Sequence, residues 1–242
     1  MTGLVSSFGA RCAGAWRCFV TELPRPPLGW VLPLVLATCV FMGLLVDRPV
    51  IHAAAEMDET LKRFFEIVTR FGDAGGWLVL LVVGIGICFL IARKTSLAET
   101  RDRFLAHAYN LWFVVLTVLV SGALHHILKI LIGRYRPRYL FSEDLYGLSP
   151  LNFEIARNSF PSGHTQTIVA VCFGLFLVYP RLAVLWLVIA GLVGVSRVAV
   201  LAHYPSDVLG GAYLAICTAI LLKRHYLDPR ATRELKPLES GR

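Results

Sequence analysis

The stretch PSGHTQTIVAVCFGLFLVY (161–179) changes from a polar opening to an unbroken apolar run within a few residues. Such a run predicts a membrane span, and the polar residues then lie at the mouth of that span. A helix end needs a cap, which Pro161 and Ser162 can provide. A histidine at a membrane surface is also a candidate catalyst. The rest of the chain decides whether this segment is a helix cap alone or part of a catalytic site.

Five further apolar runs accompany the run at 167–179. The 242 residues are 56% apolar with a mean hydropathy of +0.65, and the apolar residues are concentrated in these runs. Each run reaches or nearly reaches the ~20 residues that cross a bilayer core of ~30 Å. The predicted fold is therefore all-α, a polytopic membrane bundle of six transmembrane helices, and a water-soluble bundle is the alternative. The other runs are 28–46, 76–92, 109–124, 182–195 and 208–222.

The first run is predicted to remain as a span and not to be cleaved as a signal peptide. It is longer than the usual apolar core of a signal peptide, and 27 residues precede it. The predicted layout is a cytoplasmic N-terminal segment (1–27), a six-span domain (28–223) and a basic cytoplasmic tail (224–242).

The charges between the spans predict the orientation of the chain. With both ends inside, the cytoplasmic segments hold 14 of the 24 Lys and Arg residues and 6 of the 16 acidic residues. The whole net charge of +8 then lies inside, as the positive-inside bias of membrane proteins requires. The net charge is therefore no argument for binding of nucleic acid.

An amphipathic stretch lies in the outward connection 47–75. Leu61, Phe64, Phe65 and Val68 recur at helical spacing beside charged residues. This pattern predicts a short periplasmic helix in the membrane interface. Its role stays open between anchoring the connection and forming a lip that guides lipid to a site.

Three polar clusters lie at span ends that the predicted topology brings to the outer face. Charges at span ends are costly unless they are paired or used. Their convergence on one face therefore predicts a functional site. The clusters are KILIGRYRP (129–137), PSGH (161–164) and SRVAVLAHYPSD (196–207).

The cations in these clusters fit a phosphate site. Arg136 and Arg197 supply fork-shaped donors for a phosphate dianion, and Lys129 supplies a point charge. The alternative is a metal site, but neighbouring cations would repel a divalent ion.

The PSGH cluster predicts the other half of the phosphate cradle. Pro161 suits the first position of a helix, which leaves the amides of Ser162, Gly163 and His164 to bind an anion at the positive helix end. Gly163 allows close approach of the backbone, and the Ser162 hydroxyl adds a donor.

The two histidines are predicted to divide the chemical work. His203 precedes a helix that Pro205 begins, and Asp207 in its first turn can fix the tautomer of that imidazole. The other nitrogen of His203 is then available to attack phosphorus, while His164 protonates the leaving oxygen and later activates water.

The other polar residues near these clusters are given structural roles. His125 and His126 are expected to be satisfied helix histidines. Arg134, Arg138 and Arg157 are expected to contact lipid headgroups or loop acids and not the reacting phosphate.

The combination KX6RP, PSGH and SRX5HX3D resembles the three-part signature of the type 2 phosphatidic acid phosphatase family, which is related to vanadium haloperoxidases. The match covers 129–207 by motif and is complete at every motif position. The resemblance implies hydrolysis of a lipid phosphate without metal or cofactor, through a phosphohistidine on His203.

The resemblance leaves the substrate and the acceptor open. Undecaprenyl pyrophosphate, phosphatidylglycerophosphate, phosphatidic acid and lipid A phosphates are all candidates. Transfer to a second lipid and a non-enzymatic anion-binding role are the alternatives to hydrolysis. The expected location is the bacterial inner membrane, with the site on the periplasmic face.

Overall fold

A computed structural model describes residues 28–227, and its regular elements are all helical. The predicted segment 1–27 and most of the tail 224–242 lie outside the described residues. Short 3-10 turns cover Thr69–Gly72 and Pro180–Leu182, and a π-helical turn covers Lys223–Leu227. The helices are α1 (Leu28–Leu45), α2 (Asp47–Ala55), α3 (Glu59–Val68), α4 (Ala74–Lys94), α5 (Ala98–Ile132), α6 (Pro137–Glu143), α7 (Gly163–Val178), α8 (Ala183–Ala199) and α9 (Pro205–Leu222).

Several helices have the length and composition of membrane spans. Within residues 28–227, four qualify singly: α4, α5, α8 with its preceding turn, and α9 with the start of its following turn. The pair α1 and α2 qualifies as a fifth if it counts as one span bent by 55°. The apolar α7, with 16 residues, is shorter. The all-helical membrane class is thus confirmed, while the sixth span stays a prediction.

Helix α5 extends well beyond the apolar run at 109–124 from which it was predicted. Its 35 residues correspond to about 52 Å, far more than the bilayer core. The helix starts before the apolar run, in a segment rich in charged residues that are good helix formers. Glu99 pairs there with Arg103 one turn later. At its other end the helix carries Lys129 in its last turn, before Gly133 terminates it.

Gly133 turns the chain sharply at the end of α5. It adopts a left-handed conformation with φ of +59°, and a Cβ there would lie 1.7 Å from the Ser149 carbonyl oxygen. The amide of Ser149 donates to the Gly133 carbonyl at 2.8 Å. Bridges from Arg134 to Leu148 and from Tyr135 to Asn158 then hold the outer connection against the end of the bundle.

Helix α7 occupies the centre of the bundle. It packs against α5, α8 and α9, and Ile168, Ala170 and Val171 on it are fully buried. Because its neighbours cover it, the polar start of α7 is enclosed by the ends of α5 and α8 and by the beginning of α9. The predicted clusters therefore meet at one end of the bundle.

Candidate active site

A cavity of ≈590 Å³ opens where these helix ends meet. One part of its wall is apolar and includes Leu78, Val118 and Leu119 from α4 and α5. Two of the eight predicted site residues, Ser162 and Asp207, lie behind the lining. The other six line the cavity: Lys129, Arg136, Gly163, His164, Arg197 and His203.

The three cations of the cavity have no carboxylate partner within the described residues. Lys129 and Arg197 are only 5% and 8% exposed, yet neither forms a salt bridge there. Arg136 donates from Nε to the Asn158 carbonyl at 3.2 Å. Burial and Arg138 lower the pKa of Arg136. Buried cations without counterions are costly, so this arrangement favours a bound anion.

Arg197 is held from one side only. Its Nη1 donates to the hydroxyl of Thr69, which belongs to the 3-10 turn after α3. Its Nε is buried and has no partner within the described residues. A planar guanidinium fixed at one amino group keeps its other donors in a defined direction. Arg197 is therefore oriented before any ligand arrives.

His203 lies in the short connection between α8 and α9. Its backbone amide donates to the Arg197 carbonyl at 3.1 Å, which ties the two residues together. Its Nδ1 is 3.3 Å from the Ser159 hydroxyl and 3.7 Å from Oδ2 of Asp207. These contacts occupy the Nδ1 side of the ring and leave Nε2 for the cavity.

The environment of His203 keeps its imidazole neutral. Burial lowers the pKa of His203 to about 4, and the opposing effect of Asp207 does not compensate. A neutral imidazole has a lone pair at one nitrogen, which a nucleophile needs. At neutral pH the side chain is thus in the form that can attack phosphorus.

Asp207 both caps α9 and faces His203. Its Oδ2 accepts hydrogen bonds from the Tyr204 amide, at 2.8 Å, and from the Ser159 hydroxyl. Its Oδ1 accepts from Arg134 at 2.7 Å. As predicted, Pro205 begins the helix and Asp207 lies in its first turn.

Arg134 is the supporting residue that the sequence interpretation missed. It was expected to contact loop acids or lipid headgroups, but its acidic partners are the buried Asp207 and Asp47. Burial opposes its charge, but these two carboxylates outweigh burial and raise the pKa of Arg134. No spacing in the sequence links it to Asp47, which lies 87 residues earlier in the chain.

The start of α7 differs from the predicted cradle in one respect. Pro161 is not the first helical residue, because Ser162 is the N-cap and the helix begins at Gly163. The amide of Ser162 donates to the Asp207 carbonyl at 2.9 Å, and its hydroxyl accepts from the Thr165 hydroxyl at 3.0 Å. Only the first amides of the helix proper, at Gly163 and His164, remain for an anion.

The amphipathic segment predicted around 61–68 leads into a turn whose Gly72 lines the site. It is observed as α3 and the following turn, which pack against α7 and α8. Gly72 lies so close to His164 that a Cβ at this position would be 2.7 Å from that of His164. Together with the contact from Thr69 to Arg197, this places the segment against two predicted site residues.

His125 does not fit the expectation of a satisfied helix histidine. It is 4% exposed and lines the cavity, and its Nδ1 has no partner within the described residues. Its position one turn before Lys129 was the available signal. His126 also lines the cavity. Across residues 28–227 no group of three or more His, Cys, Asp or Glu side chains is arranged to hold a metal ion.

Comparison with known proteins decides the family. The family model for the PAP2 superfamily matches residues 110–230. The chain belongs to this superfamily. The PAP2 match covers α5 to α9 and includes all eight predicted site residues, so the resemblance drawn from the three motifs is confirmed.

Relatives and a solved structure extend the similarity beyond the PAP2 match. The chain is 33% identical to a lipid A 1-phosphatase of Rhizobium johnstonii over 90% of both chains. It is 33% identical to phosphatidylglycerophosphatase B of Bacillus subtilis over 64% of this chain and 70% of that one. The crystal structure of a transmembrane PAP2-type phosphatidylglycerolphosphate phosphatase from B. subtilis has the same fold. Its TM-score is 0.60, with 24% identity over 88% of this chain and 98% of that chain.

Proposed function

We propose that this PAP2 protein is an integral membrane lipid phosphatase that works through a phosphohistidine on His203, at the periplasmic face of the inner membrane. The observation that carries the proposal is a cavity that His164 and His203 line together with three cations that lack carboxylate partners among residues 28–227. Membership of the PAP2 superfamily and the similarity to lipid phosphatases support the same activity.

The cavity binds the phosphate group of the lipid by charge and by directed hydrogen bonds. Lys129, Arg136 and Arg197 surround the dianion, and the first amides of α7 donate to its oxygens. The apolar wall formed by α4 and α5 accommodates the part of the lipid next to the phosphate. The cations also stabilise charge that shifts between the phosphate oxygens during transfer.

The first transfer uses both histidines. The lone pair on Nε2 of neutral His203 attacks phosphorus, and the bond from phosphorus to the lipid oxygen breaks. The leaving oxygen keeps that electron pair and takes a proton from His164, which on this mechanism is protonated while the phosphate dianion is bound. The His203 ring now carries phosphate on Nε2 and its proton on Nδ1, so it is positively charged, and Asp207 stabilises it.

The second transfer returns the enzyme to its starting state. Neutral His164 takes a proton from water as the water oxygen attacks phosphorus. The bond from phosphorus to Nε2 breaks, and its electron pair returns to the ring of His203. Inorganic phosphate leaves, with His203 neutral and His164 protonated again.

Lipid A with a phosphate at position 1 is the substrate class that we propose first. The two Rhizobium relatives named lipid A 1-phosphatase cover 90% and 82% of this chain. The phosphatidylglycerophosphatase relative covers 64%. Phosphatidylglycerophosphate, undecaprenyl pyrophosphate and phosphatidic acid are therefore the comparison substrates.

A radiolabelled lipid panel tests this function. Purified wild-type protein is expected to release inorganic phosphate with chelator present, to be inhibited by vanadate, and to carry label on histidine after rapid quenching. The His203→Ala protein is expected to bind lipid, to release no inorganic phosphate and to carry no label. Turnover by His203→Ala would refute the mechanism, and label appearing on a second lipid would identify a phosphotransferase.

Sidedness is tested separately. Right-side-out membrane vesicles given an external, membrane-impermeant substrate with a short acyl chain are expected to release phosphate into the outer solution. Activity only in inverted vesicles would refute the periplasmic assignment and leave the chemistry intact.

A further inference from the structure

A buried charge cluster lies behind His203, on the side away from the cavity. Asp47 and Asp207 are both fully buried, and Arg134 between them is 7% exposed. Arg134 donates from Nη2 to Asp47 at 2.8 Å and from Nη1 to Asp207 at 2.7 Å. Its guanidinium also stacks on the Tyr204 ring, 4.2 Å from the ring centre.

The position of Asp47 is as firmly fixed as that of Arg134. Asp47 begins α2, directly after the bend that ends α1. It accepts hydrogen bonds from both the amide and the hydroxyl of Ser206. Ser206 in turn accepts from Arg134 at 2.6 Å and precedes Asp207 in the chain. Asp47 therefore holds the start of α9 and one edge of Arg134 together.

The charges of the cluster do not cancel. Two carboxylates share one guanidinium, which leaves a formal charge of −1 in a region shielded from water. If Asp47 were neutral, the whole charge of Arg134 would act on Asp207. The cluster would then be neutral, and Asp207 would stabilise a positively charged neighbour less strongly.

The neighbour that Asp207 stabilises is His203. Asp207 reaches it directly at 3.7 Å and through Ser159, whose hydroxyl contacts both side chains. During the proposed transfer the His203 ring becomes positively charged while it carries phosphate. An acidic group that orients an imidazole and stabilises its charged form contributes strongly to catalysis.

We propose that Asp47 is a positioning residue of the phosphatase, which balances Arg134 so that the negative charge of Asp207 remains available to His203. This inference rests on the phosphohistidine mechanism proposed above. Asp47 precedes the part of the chain that matches the PAP2 family model, which begins at residue 110. The first helices thus contribute to catalysis without contacting the substrate.

The substitution Asp47→Asn tests the inference with little change in shape. The asparagine carbonyl can still accept on one side, either from the Ser206 amide or from Arg134 and the Ser206 hydroxyl, so the variant removes a charge and the hydrogen bonds of the other side. We expect kcat per folded protein to fall about 10-fold. This is the lower end of the loss seen at metal sites when a residue that hydrogen-bonds to a ligand of the metal is removed. KM is expected to stay unchanged, because the cations that bind phosphate lie on the other side of His203. Asp102→Asn, at an exposed position on α5, is the matched control and is expected to match the wild type.

A double variant separates charge from structure. Asp47→Asn with Arg134→Gln removes one charge of each sign and restores the formal charge of −1 to the cluster. Its kcat is expected to exceed that of Asp47→Asn alone, which a purely structural role for Asp47 does not predict. Quenched-flow labelling of His203 is the second readout, and slower formation of phosphohistidine is expected in Asp47→Asn.

The outcomes distinguish this inference from the proposed function. Absence of phosphohistidine in the wild type would refute the mechanism itself. If the wild type forms it and Asp47→Asn has an unchanged kcat, the role of Asp47 is refuted and the mechanism stands. A change confined to KM or to the folded fraction would likewise refute the role of Asp47.

Discussion

Arg134 and Arg136 stand two residues apart and show two ways in which this protein accommodates a guanidinium at a helix end. Arg134 lies between two buried carboxylates and uses its charge within the protein. Arg136 faces the cavity with only a backbone carbonyl at its Nε. The same residue type is therefore ion-paired at one position and open to a ligand at the other, where we propose that it binds phosphate.

The two sides of His203 differ in the same way in whether their charged residues are paired. On the cavity side, Lys129, Arg136 and Arg197 have no acidic partner within the described residues. On the opposite side of His203, both carboxylates are paired. A site that binds a dianion leaves its cations unpaired until the ligand arrives, whereas its buried supporting carboxylates are ion-paired in the resting protein.

Of the two arginine substitutions, Arg136→Ala should have the larger effect on activity. Removing one donor to the reacting group is expected to lower kcat/KM by about 10²- to 10³-fold. The folded protein should be no less stable, because the lost charge has no ion pair to leave behind. Steady-state kinetics measures the loss of activity, and thermal unfolding in the same detergent measures stability. A large loss of stability would contradict the division between the two arginines.

The substitution Arg134→Ala should show the reverse pattern. It leaves Asp47 and Asp207 buried without a counterion, and breaking a buried pair in this way costs about 3–5 kcal/mol. The yield of folded protein and its unfolding temperature are therefore expected to fall steeply. Unfolding temperatures of the two alanine variants, measured side by side, provide the test. Equal stability of both variants would remove the distinction.

The substitution Gly72→Ala tests whether the segment after α3 supports the reacting side. Its Cβ would lie 2.7 Å from the Cβ of His164 and so displace that side chain or the segment itself. A displacement of about 1 Å at a reacting group can cost up to ~10²-fold in rate, so a loss of about 10-fold or more is expected. Gly76→Ala in α4, with nothing within 4 Å of its new Cβ, is the control. Full activity in Gly72→Ala would show that the segment is not needed.

The cavity side of this comparison was predictable from the sequence, while the supporting side was not. Lys129, His164 and His203 belong to spaced motifs at span ends, and membrane topology alone places those ends on one face. Asp47, one partner of Arg134, lies 87 residues away, and Thr69, the partner of Arg197, lies 128 residues away. Contacts of this kind depend on how helices pack, which no local spacing encodes.

The helix start at PSGH shows the same limit on a smaller scale. Local chemistry permits either Pro161 or Ser162 to begin the helix. A tertiary contact accompanies the observed start, because the Ser162 amide donates to the carbonyl of Asp207 in α9. Gly211 makes that approach possible, since a Cβ there would lie 2.4 Å from the Ser162 carbonyl oxygen.

The change in stability with acid should be the smallest effect. It tests His203, which lies between the cavity and the buried charge cluster. Its pKa is lowered from 6.5 to about 4 by burial, so between these values the unfolded chain binds more protons than the folded protein. Stability is therefore expected to rise with pH across this window and to fall as the pH drops from about 6.5 towards 4. His203→Gln removes one titrating group and should make this part of the profile less steep. Unfolding temperatures of both proteins between pH 7.5 and 4.5 make the measurement, and parallel profiles would show that His203 is not held neutral by the fold.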